Sequence, residues 1–187
     1  MPSIMPDDLE KIAVGLLIGA GVSADEAKVV SRLSISANLA GHDSHGIIQI
    51  PSYIDRVNRG HIVPGAEYEV VKDTPTTTVV DGHWGFGYVV TERLMMQTIE
   101  KAKSQNIAAA TVYRQSHIGR LAAYPLIAAH AGMIGMITAD SGRSSKAVVP
   151  FGGREKRLGT NPISIAMPSN LEGPFFLDMA TSAVAAG

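Results

Sequence analysis

Apolar residues recur at three- and four-residue spacing along the first 40 positions, which is the period of amphipathic helices. In residues 7–20 the apolar positions are Leu9, Ile12, Ala13, Leu16, Leu17 and Ala20. Ser23 and Glu26 then have the spacing of a capping box, in which a hydroxyl side chain and a carboxylate satisfy the first backbone amides of a helix. We therefore expect two helices, at residues 7–20 and about 23–39.

A third helical pattern follows the short sequence "GHDSHG" at residues 41–46. Its apolar stripe is Ile48, Ile54 and Val57. Pro51 is compatible with a helix only in the first turn, and Gly60 suits the end of one. We expect a helix that begins shortly after "GHDSHG" and ends before Gly60.

From residue 68 onward, short apolar strands alternate with helical patterns. Strands are predicted at 68–72, 76–82, 107–113, 133–139, 163–168 and 174–180, and helices at 88–103 and 119–131. We expect the strand at 107–113 to be buried, because it is almost entirely apolar. A helical beginning followed by alternation indicates the α/β class, or a mixed α+β fold.

Composition narrows the classes of protein that this chain can belong to. Of 187 residues, 45% are apolar and 18% are charged, and the net charge is −1, so neither nucleic acid nor an anionic membrane is expected as a partner. Cysteine is absent, which excludes disulfides and thiolate metal sites. No stretch reaches the roughly 20 apolar residues that cross a bilayer, and no secretory signal is evident. We expect a soluble, cytoplasmic protein.

Two histidines three residues apart, His42 and His45, are the first candidates for chemistry. A metal site would need further ligands that the sequence does not supply, so we expect no metal. A second interpretation makes Asp43 or Ser44 the N-cap of the next helix, and the residues alone favour it. A third pairs the Ser44 hydroxyl with the His45 imidazole as a proton carrier near neutral pH.

The second candidate is His117, in "YRQSHIGRLAAY" at residues 113–124. It follows a predicted strand and precedes a predicted helix, at the sheet edge where ligands collect in open α/β folds. A surface histidine in a connecting loop is the equally weighted alternative.

The glycine-rich segment 140–162 is long for a loop inside a compact domain and is therefore expected to be functional. Arg154, Lys156 and Arg157 are typical of a solvated face. Thr160 and Asn161, in "GTNP", form a turn whose side chains can hydrogen-bond a polar ligand. The sequence has no G-x-G-x-x-G motif, and "DGHWGFG" at residues 81–87 has its glycines in a different order.

Four stretches together resemble one known family. "GHDSHGIIQIPSYIDRVNRG", "YRQSHIGRLAAY", "FGGREKRLGTNPISIAMP" and "LDMATSAVAAG" are similar, in order and spacing, to the malate/L-lactate dehydrogenase family of the sulfolactate and ureidoglycolate dehydrogenase type. The resemblance implies an oxidoreductase that uses NAD or NADP and interconverts a small 2-hydroxy acid and a 2-oxo acid. In some members the substrate is a cyclic imine acid. It also implies a largely antiparallel, non-Rossmann cofactor-binding sheet and a homodimer.

The resemblance also implies roles for individual residues. His117 matches a proton acceptor in some members, whereas His45 matches a proton donor in others, with Ser44 as its relay partner. Ser141 and a run after it match cofactor contacts; the run is Pro174, Phe175, Phe176, Leu177, Asp178, Met179 and Ala180. Thr160, Asn161 and Gln49 are the expected substrate contacts.

This sequence departs from the family pattern in two respects. Many members have arginine at the position of Gln49, which is uncharged here, so dicarboxylate and sulfonate substrates are less expected unless Arg120 or Arg143 compensates. The chain also ends soon after Asp178, where members continue, which suggests truncation. We therefore expect a helical, substrate-binding segment at 1–120 and the first part of a cofactor-binding domain at 121–187. The alternative is a catalytically inactive fragment that acts as a dimerisation or binding module.

Overall fold

Three helices open the chain in the computed structural model, which describes residues 4–140 and 146–183. They are α1 (Pro6–Gly19), α2 (Ala24–Leu39) and α3 (Ile50–Asn58). Two short 3₁₀ turns, Asp43–His45 and Ile47–Gln49, connect α2 to α3. The chain divides into two compact units, Met1–Arg120 and Leu121–Gly187.

The predicted N-cap at Ser23 is confirmed, whereas the Glu26 carboxylate of the predicted capping box bonds groups other than the first amides of α2. The Ser23 hydroxyl accepts a hydrogen bond from the Glu26 backbone amide at 3.3 Å. The Glu26 carboxylate accepts from the Ser23 hydroxyl at 3.1 Å and from the Gly65 backbone amide at 2.8 Å. Since Glu26 is buried, this second bond ties the helix to the segment before the first strand.

A three-stranded sheet and a long helix complete the first unit. The strands are β1 (Glu69–Asp73), β2 (Thr77–Asp81) and β3 (Ala109–Tyr113), in the order β1-β2-β3. The helix α4 (Gly87–Gln105) connects β2 to β3, which are parallel, whereas β1 and β2 are antiparallel. The core contains side chains from several elements, among them Leu17, Val30, Val80, Phe86 and Leu94.

The second unit is a helix packed on an antiparallel sheet. The helix is α5 (Ala123–His130), and the strands β4 (Gly135–Thr138), β5 (Ile163–Met167) and β6 (Phe175–Met179) lie in that order. Gly135 lets β4 approach the helix closely, because a methyl group there would lie 2.8 Å from Pro125 and Ala128. Of the four strand pairs in the described residues, three are antiparallel. The predicted mixed, largely antiparallel fold is confirmed.

Two local predictions are wrong. The strand β3 is not buried, because it has a neighbour on one side only and alternates between exposed and half-buried residues. In the apolar stripe predicted for the third helix, Ile48 is wrong, since it is 69% exposed and lies in a 3₁₀ turn before α3; Ile54 and Val57 are half-buried, on the face that also carries the buried Ile50 and Tyr53. The predicted helix is confirmed, with Pro51 in its first turn and its end before Gly60. Within the described residues, no helix is long and apolar enough to cross a membrane.

Candidate active site

The segment "GHDSHG" is held in place by Asn38, near the end of α2. The Asn38 side chain accepts a hydrogen bond from the Ile47 backbone amide at 2.8 Å and donates one to Asp43. A methyl group at Gly46 would overlap this side-chain amide, so the close approach requires glycine. The interpretation of Asp43 or Ser44 as the cap of α3 is wrong, because the residue before that helix is Gln49 and no side chain caps it.

Ser44 and His45 form the side-chain pair that the functional interpretation expected. The Ser44 hydroxyl and the His45 Nδ1 lie 3.0 Å apart. The Gln49 side chain lies close to this pair, because its Nε2 donates a hydrogen bond to the Ser44 backbone carbonyl at 2.7 Å. Ser44 is exposed and His45 is half-buried, so both groups are accessible to a ligand.

His117 lies in the loop after β3, and two residues that precede the histidine, Arg114 and Ser116, fix this loop. Before it, the Arg114 guanidinium donates to the buried Asp81 carboxylate at 2.8 Å and lowers the pKa of that carboxyl to about 2. Next to it, the Ser116 hydroxyl accepts from the Gly87 backbone amide at 2.8 Å. A methyl group at Gly87 would overlap the Ser116 carbonyl oxygen, so the start of α4 needs glycine there.

The two candidate histidines are neighbours in the structure. Their ring centroids lie 5.7 Å apart, and the ring planes differ by 29°, which is a stacked arrangement. They are 72 positions apart in sequence, and each comes from a separate loop of the first unit. The structure therefore brings both proposed proton carriers and Ser44 into a single cluster.

Two tyrosines complete this cluster. The Tyr53 hydroxyl lies 2.7 Å from the His117 Nδ1 and 3.0 Å from the Tyr88 hydroxyl. The Tyr88 hydroxyl donates to the His45 backbone carbonyl at 3.5 Å. Both tyrosines are 1% exposed, and burial raises the pKa of Tyr88, so that group keeps its proton. We call Ser44, His45, Tyr53, Tyr88 and His117 the histidine–tyrosine cluster.

The environment of His117 keeps its imidazole neutral at physiological pH. Burial lowers its pKa to about 4, and the neighbouring His45 imidazole and Arg56 guanidinium add to this effect by charge repulsion. A neutral imidazole has one nitrogen with a free lone pair and can accept a proton. His117 is therefore a candidate general base, because a perturbed pKa and a hydrogen-bond network coincide there.

The other predicted contacts lie in the second unit, and the structure brings two of their segments together. The Thr181 hydroxyl, just after β6, donates to the Asn161 carbonyl at 2.7 Å, and the Thr181 backbone amide donates to Thr160. Ser182 donates to the Gly159 carbonyl at 2.8 Å. The "GTNP" turn and the chain that follows β6 are therefore neighbours.

Within this turn, Asn161 is under strain and its side chain carries an unused acceptor. Its φ is +42°, in the left-handed region that few non-glycine residues adopt. Its Oδ1 is buried and has no hydrogen-bond partner in the described residues. Strained backbone and an unsatisfied buried polar atom are features that accumulate where ligands bind.

The run 174–180 contains β6 and one residue on each side of it. Four apolar side chains of the strand are exposed, those of Phe175, Phe176, Leu177 and Met179. Asp178 instead accepts a hydrogen bond from the Ala122 backbone amide at 2.8 Å, which caps the start of α5. Pro174 and Ala180 flank the strand. Ser141 lies outside the described residues. Within them, no group of three or more metal-ligating side chains occurs.

The sequence analysis missed Tyr53 and Tyr88. Tyr53 lies in the "GHDSHGIIQIPSY" stretch, three residues after Ile50, and Tyr88 follows the last glycine of "DGHWGFG". A tyrosine in or next to each motif was a usable sequence signal, because a buried tyrosine usually needs a hydrogen-bond partner for its hydroxyl. The partners of these hydroxyls lie on other elements, far away in sequence, so spacing alone does not reveal them.

The amino-acid sequence matches the family model described as malate/L-lactate dehydrogenase over residues 4–187, so the chain belongs to this family. L-sulfolactate dehydrogenase of Methanocaldococcus jannaschii is 36% identical over 184 residues, which are 98% of this chain and 52% of that protein. Malate dehydrogenase of Entamoeba histolytica has a solved structure with a TM-score of 0.93 and 34% identity, over 98% of this chain and 50% of that chain. The family inferred from the four motifs is confirmed.

A cyclic-imine reductase has a similar fold but a lower sequence identity. Δ1-piperideine-2-carboxylate reductase of Pseudomonas syringae has a TM-score of 0.90 and 27% identity, over 99% of this chain and 55% of that chain. The chain spans about half the length of the curated relatives it matches.

Proposed function

We propose that this protein is a nicotinamide-dependent oxidoreductase that interconverts a small 2-hydroxy acid and the corresponding 2-oxo acid. The observation that carries the proposal is the stacked pair of His45 and His117, in which His117 is neutral and hydrogen-bonded. Membership of the malate/L-lactate dehydrogenase family supports the same chemistry.

The histidines are suited to the proton transfer that such a reaction needs. When bound, a nicotinamide exchanges hydride with C2 of the substrate. In the oxidation of a 2-hydroxy acid, the hydroxyl proton passes to a neutral imidazole, which we assign to His117. In the reverse reaction a protonated imidazole returns it. A well-placed general base contributes about 10²–10⁴-fold to the rate.

Residues of the second unit fit the binding of a nicotinamide cofactor. The exposed apolar side chains of β6 can pack against an aromatic ring, and the unsatisfied Asn161 amide can pair with a polar group such as a carboxamide. We therefore propose β6 and the turn at Thr160 and Asn161 as cofactor and substrate contacts, and Leu121–Gly187 as part of the cofactor-binding domain. Asp178 stays among these proposed contacts, and its carboxylate also accepts a hydrogen bond from the Ala122 backbone amide.

The charges near the histidines favour a monocarboxylate substrate. Gln49 is neutral and its amide is engaged by the Ser44 carbonyl. Arg56 supplies positive charge close enough to act on His117. We propose that a single carboxylate is held here, as in a lactate-like acid. A homodimer and a cytoplasmic location are further proposals, drawn from the family resemblance and the cysteine-free composition.

Cofactor binding tests the proposal without requiring turnover. Calorimetric titrations of the 187-residue chain with NADH and with NADPH are expected to show saturable binding, with one of the two nucleotides preferred over the other. Asn161→Ala is expected to weaken it about 5- to 20-fold, the effect of one lost hydrogen bond to a ligand. Asn170→Ala, at an exposed asparagine of the same unit, is the matched control. A folded sample that binds neither nucleotide would contradict the proposal.

A further inference from the structure

A continuous line of hydroxyls connects the two histidines of the cluster. It runs from the His45 backbone carbonyl to the Tyr88 hydroxyl at 3.5 Å, to the Tyr53 hydroxyl at 3.0 Å, and to the His117 Nδ1 at 2.7 Å. Each tyrosine hydroxyl has one proton to donate. Once the donor and the acceptor of the first hydrogen bond are known, the donor and the acceptor of each following bond can be assigned.

The first acceptor is the His45 carbonyl, which can only accept a hydrogen bond. Tyr88 uses its single proton on that carbonyl, so its oxygen is left to accept from Tyr53. Tyr53 has then used its own proton, and its oxygen must accept from His117. The proton of the neutral His117 imidazole is thereby placed on Nδ1.

We propose that Tyr53 and Tyr88 are positioning residues that hold His117 in its Nδ1–H tautomer, leaving the Nε2 lone pair as the proton acceptor. The role of that acceptor in catalysis rests on the function proposed above, whereas the tautomer itself does not. The proposal assigns the two histidines different tasks: His117 Nε2 accepts the substrate hydroxyl proton, and the His45 backbone orients the acceptor.

Gly119 leaves the space that the Tyr88 ring occupies. A methyl group at Gly119 would overlap the Tyr88 ring, and the φ of Gly119 is +69°, where other residues are strained. The Tyr53 and Tyr88 rings meet edge to face with centroids 5.8 Å apart, so the two rings are in direct contact.

Nuclear magnetic resonance of the 187-residue chain labelled with ¹⁵N-histidine tests the proposal directly, because protonated and unprotonated ring nitrogens have distinct shifts. For His117 we expect a protonated Nδ1 and an unprotonated Nε2 near neutral pH. Other groups facing this imidazole are His45, Arg56, Tyr53 and Tyr88, and the pH is held constant so that their charges do not change. A dominant Nε2–H tautomer in the unaltered chain would overturn the proposal.

Tyr53→Phe removes the acceptor for the Nδ1 proton and keeps the ring. The ratio of Nδ1–H to Nε2–H tautomers is expected to fall about fivefold, as for the loss of one ordinary hydrogen bond. Tyr68→Phe, which removes a hydroxyl bonded to Gln97 elsewhere in the same unit, is the matched control and is expected to leave the ratio unchanged. An unchanged ratio in Tyr53→Phe would overturn the positioning role of Tyr53. Since no cofactor or substrate is present, these results stand apart from any failure of the nucleotide titration.

Discussion

At the scale of single residues, the two histidines differ because of their surroundings. His117 is hydrogen-bonded through Nδ1 to a buried tyrosine and lies near the Arg56 guanidinium. His45 has its Nδ1 beside the exposed Ser44 hydroxyl. The same side chain is therefore a neutral base in one position and a partner of an accessible hydroxyl in the other. The amino-acid sequence alone does not distinguish these two environments.

The lowered pKa of His117 predicts how stability depends on pH. Its pKa is about 4 in the folded protein and 6.5 in the unfolded chain, so the unfolded chain binds more protons between these values. Stability is therefore expected to fall as the pH drops from about 6.5 to about 4. The effect is at most about 3 kcal/mol, because one pKa unit corresponds to about 1.4 kcal/mol.

Urea unfolding at a series of pH values measures this dependence. His117→Asn is expected to flatten the acid side of the curve, whereas His61→Asn, at an exposed histidine, is expected to leave the slope unchanged. Equal slopes in His117→Asn and the unaltered chain would show that burial does not hold His117 neutral. The groups that also face this histidine, His45 and Arg56, are the same in all three proteins.

Gly46 offers a second prediction at this scale. Gly46→Ala forces the Asn38 side chain to move, and with it the hydrogen bonds to Ile47 and Asp43, at a cost of about 1–2 kcal/mol. In an Asn38→Ala background the same change is expected to cost much less, because the obstructing amide is gone. A double-mutant cycle in urea measures the coupling. Additive costs would show that Asn38 is not what excludes a side chain at Gly46.

At the scale of elements, capping residues and hydrophobic periodicity predicted the positions of helices and strands well where those positions depend on neighbouring residues in the sequence. The capping-box spacing of Ser23 and Glu26 gave the start of α2, and the alternating segments gave every strand to within two residues at each end. For the third helix, the range and the first-turn position of Pro51 are confirmed, but Ile48 lies in a 3₁₀ turn before α3, which the Asn38 bond to Ile47 helps to hold, and not in the apolar stripe of the helix. That bond joins residues nine positions apart and leaves no periodic trace in the sequence.

The start of α5 provides the prediction for this scale. Asp178 is one of the proposed cofactor contacts, and its carboxylate accepts a hydrogen bond from the Ala122 backbone amide at the start of this helix. Asp178→Ala is expected to lower the free energy of unfolding by about 1 kcal/mol, the usual cost of losing such a cap. Asp178→Asn keeps an acceptor oxygen and is expected to lose less. If both variants were as stable as the unaltered chain, the cap would contribute nothing.

At the scale of the whole molecule, the four motifs predicted the family and the mixed fold, and the match over residues 4–187 confirms the family. The cluster was only partly predictable. His45 and His117 were named from the sequence, but their stacking was not. The stacking depends on contact between the β2–α4 turn and the loop after β3, such as the hydrogen bond between the Gly87 amide and the Ser116 hydroxyl. Tyr53 and Tyr88 depend on the same packing, so motif reading alone did not find them.

Turnover in histidine variants decides whether His117 is the proton acceptor. Reduction of small 2-oxo acids, with a cyclic imine acid as a further substrate, is followed by the loss of reduced nicotinamide absorbance. We predict turnover by the unaltered chain, a loss of about 10²–10⁴-fold in kcat for His117→Asn, and no change for the control His61→Asn. Normal kcat in His117→Asn would contradict the assignment of His117 as proton acceptor, and a folded chain that binds NADH yet reduces none of these acids would contradict the proposed activity.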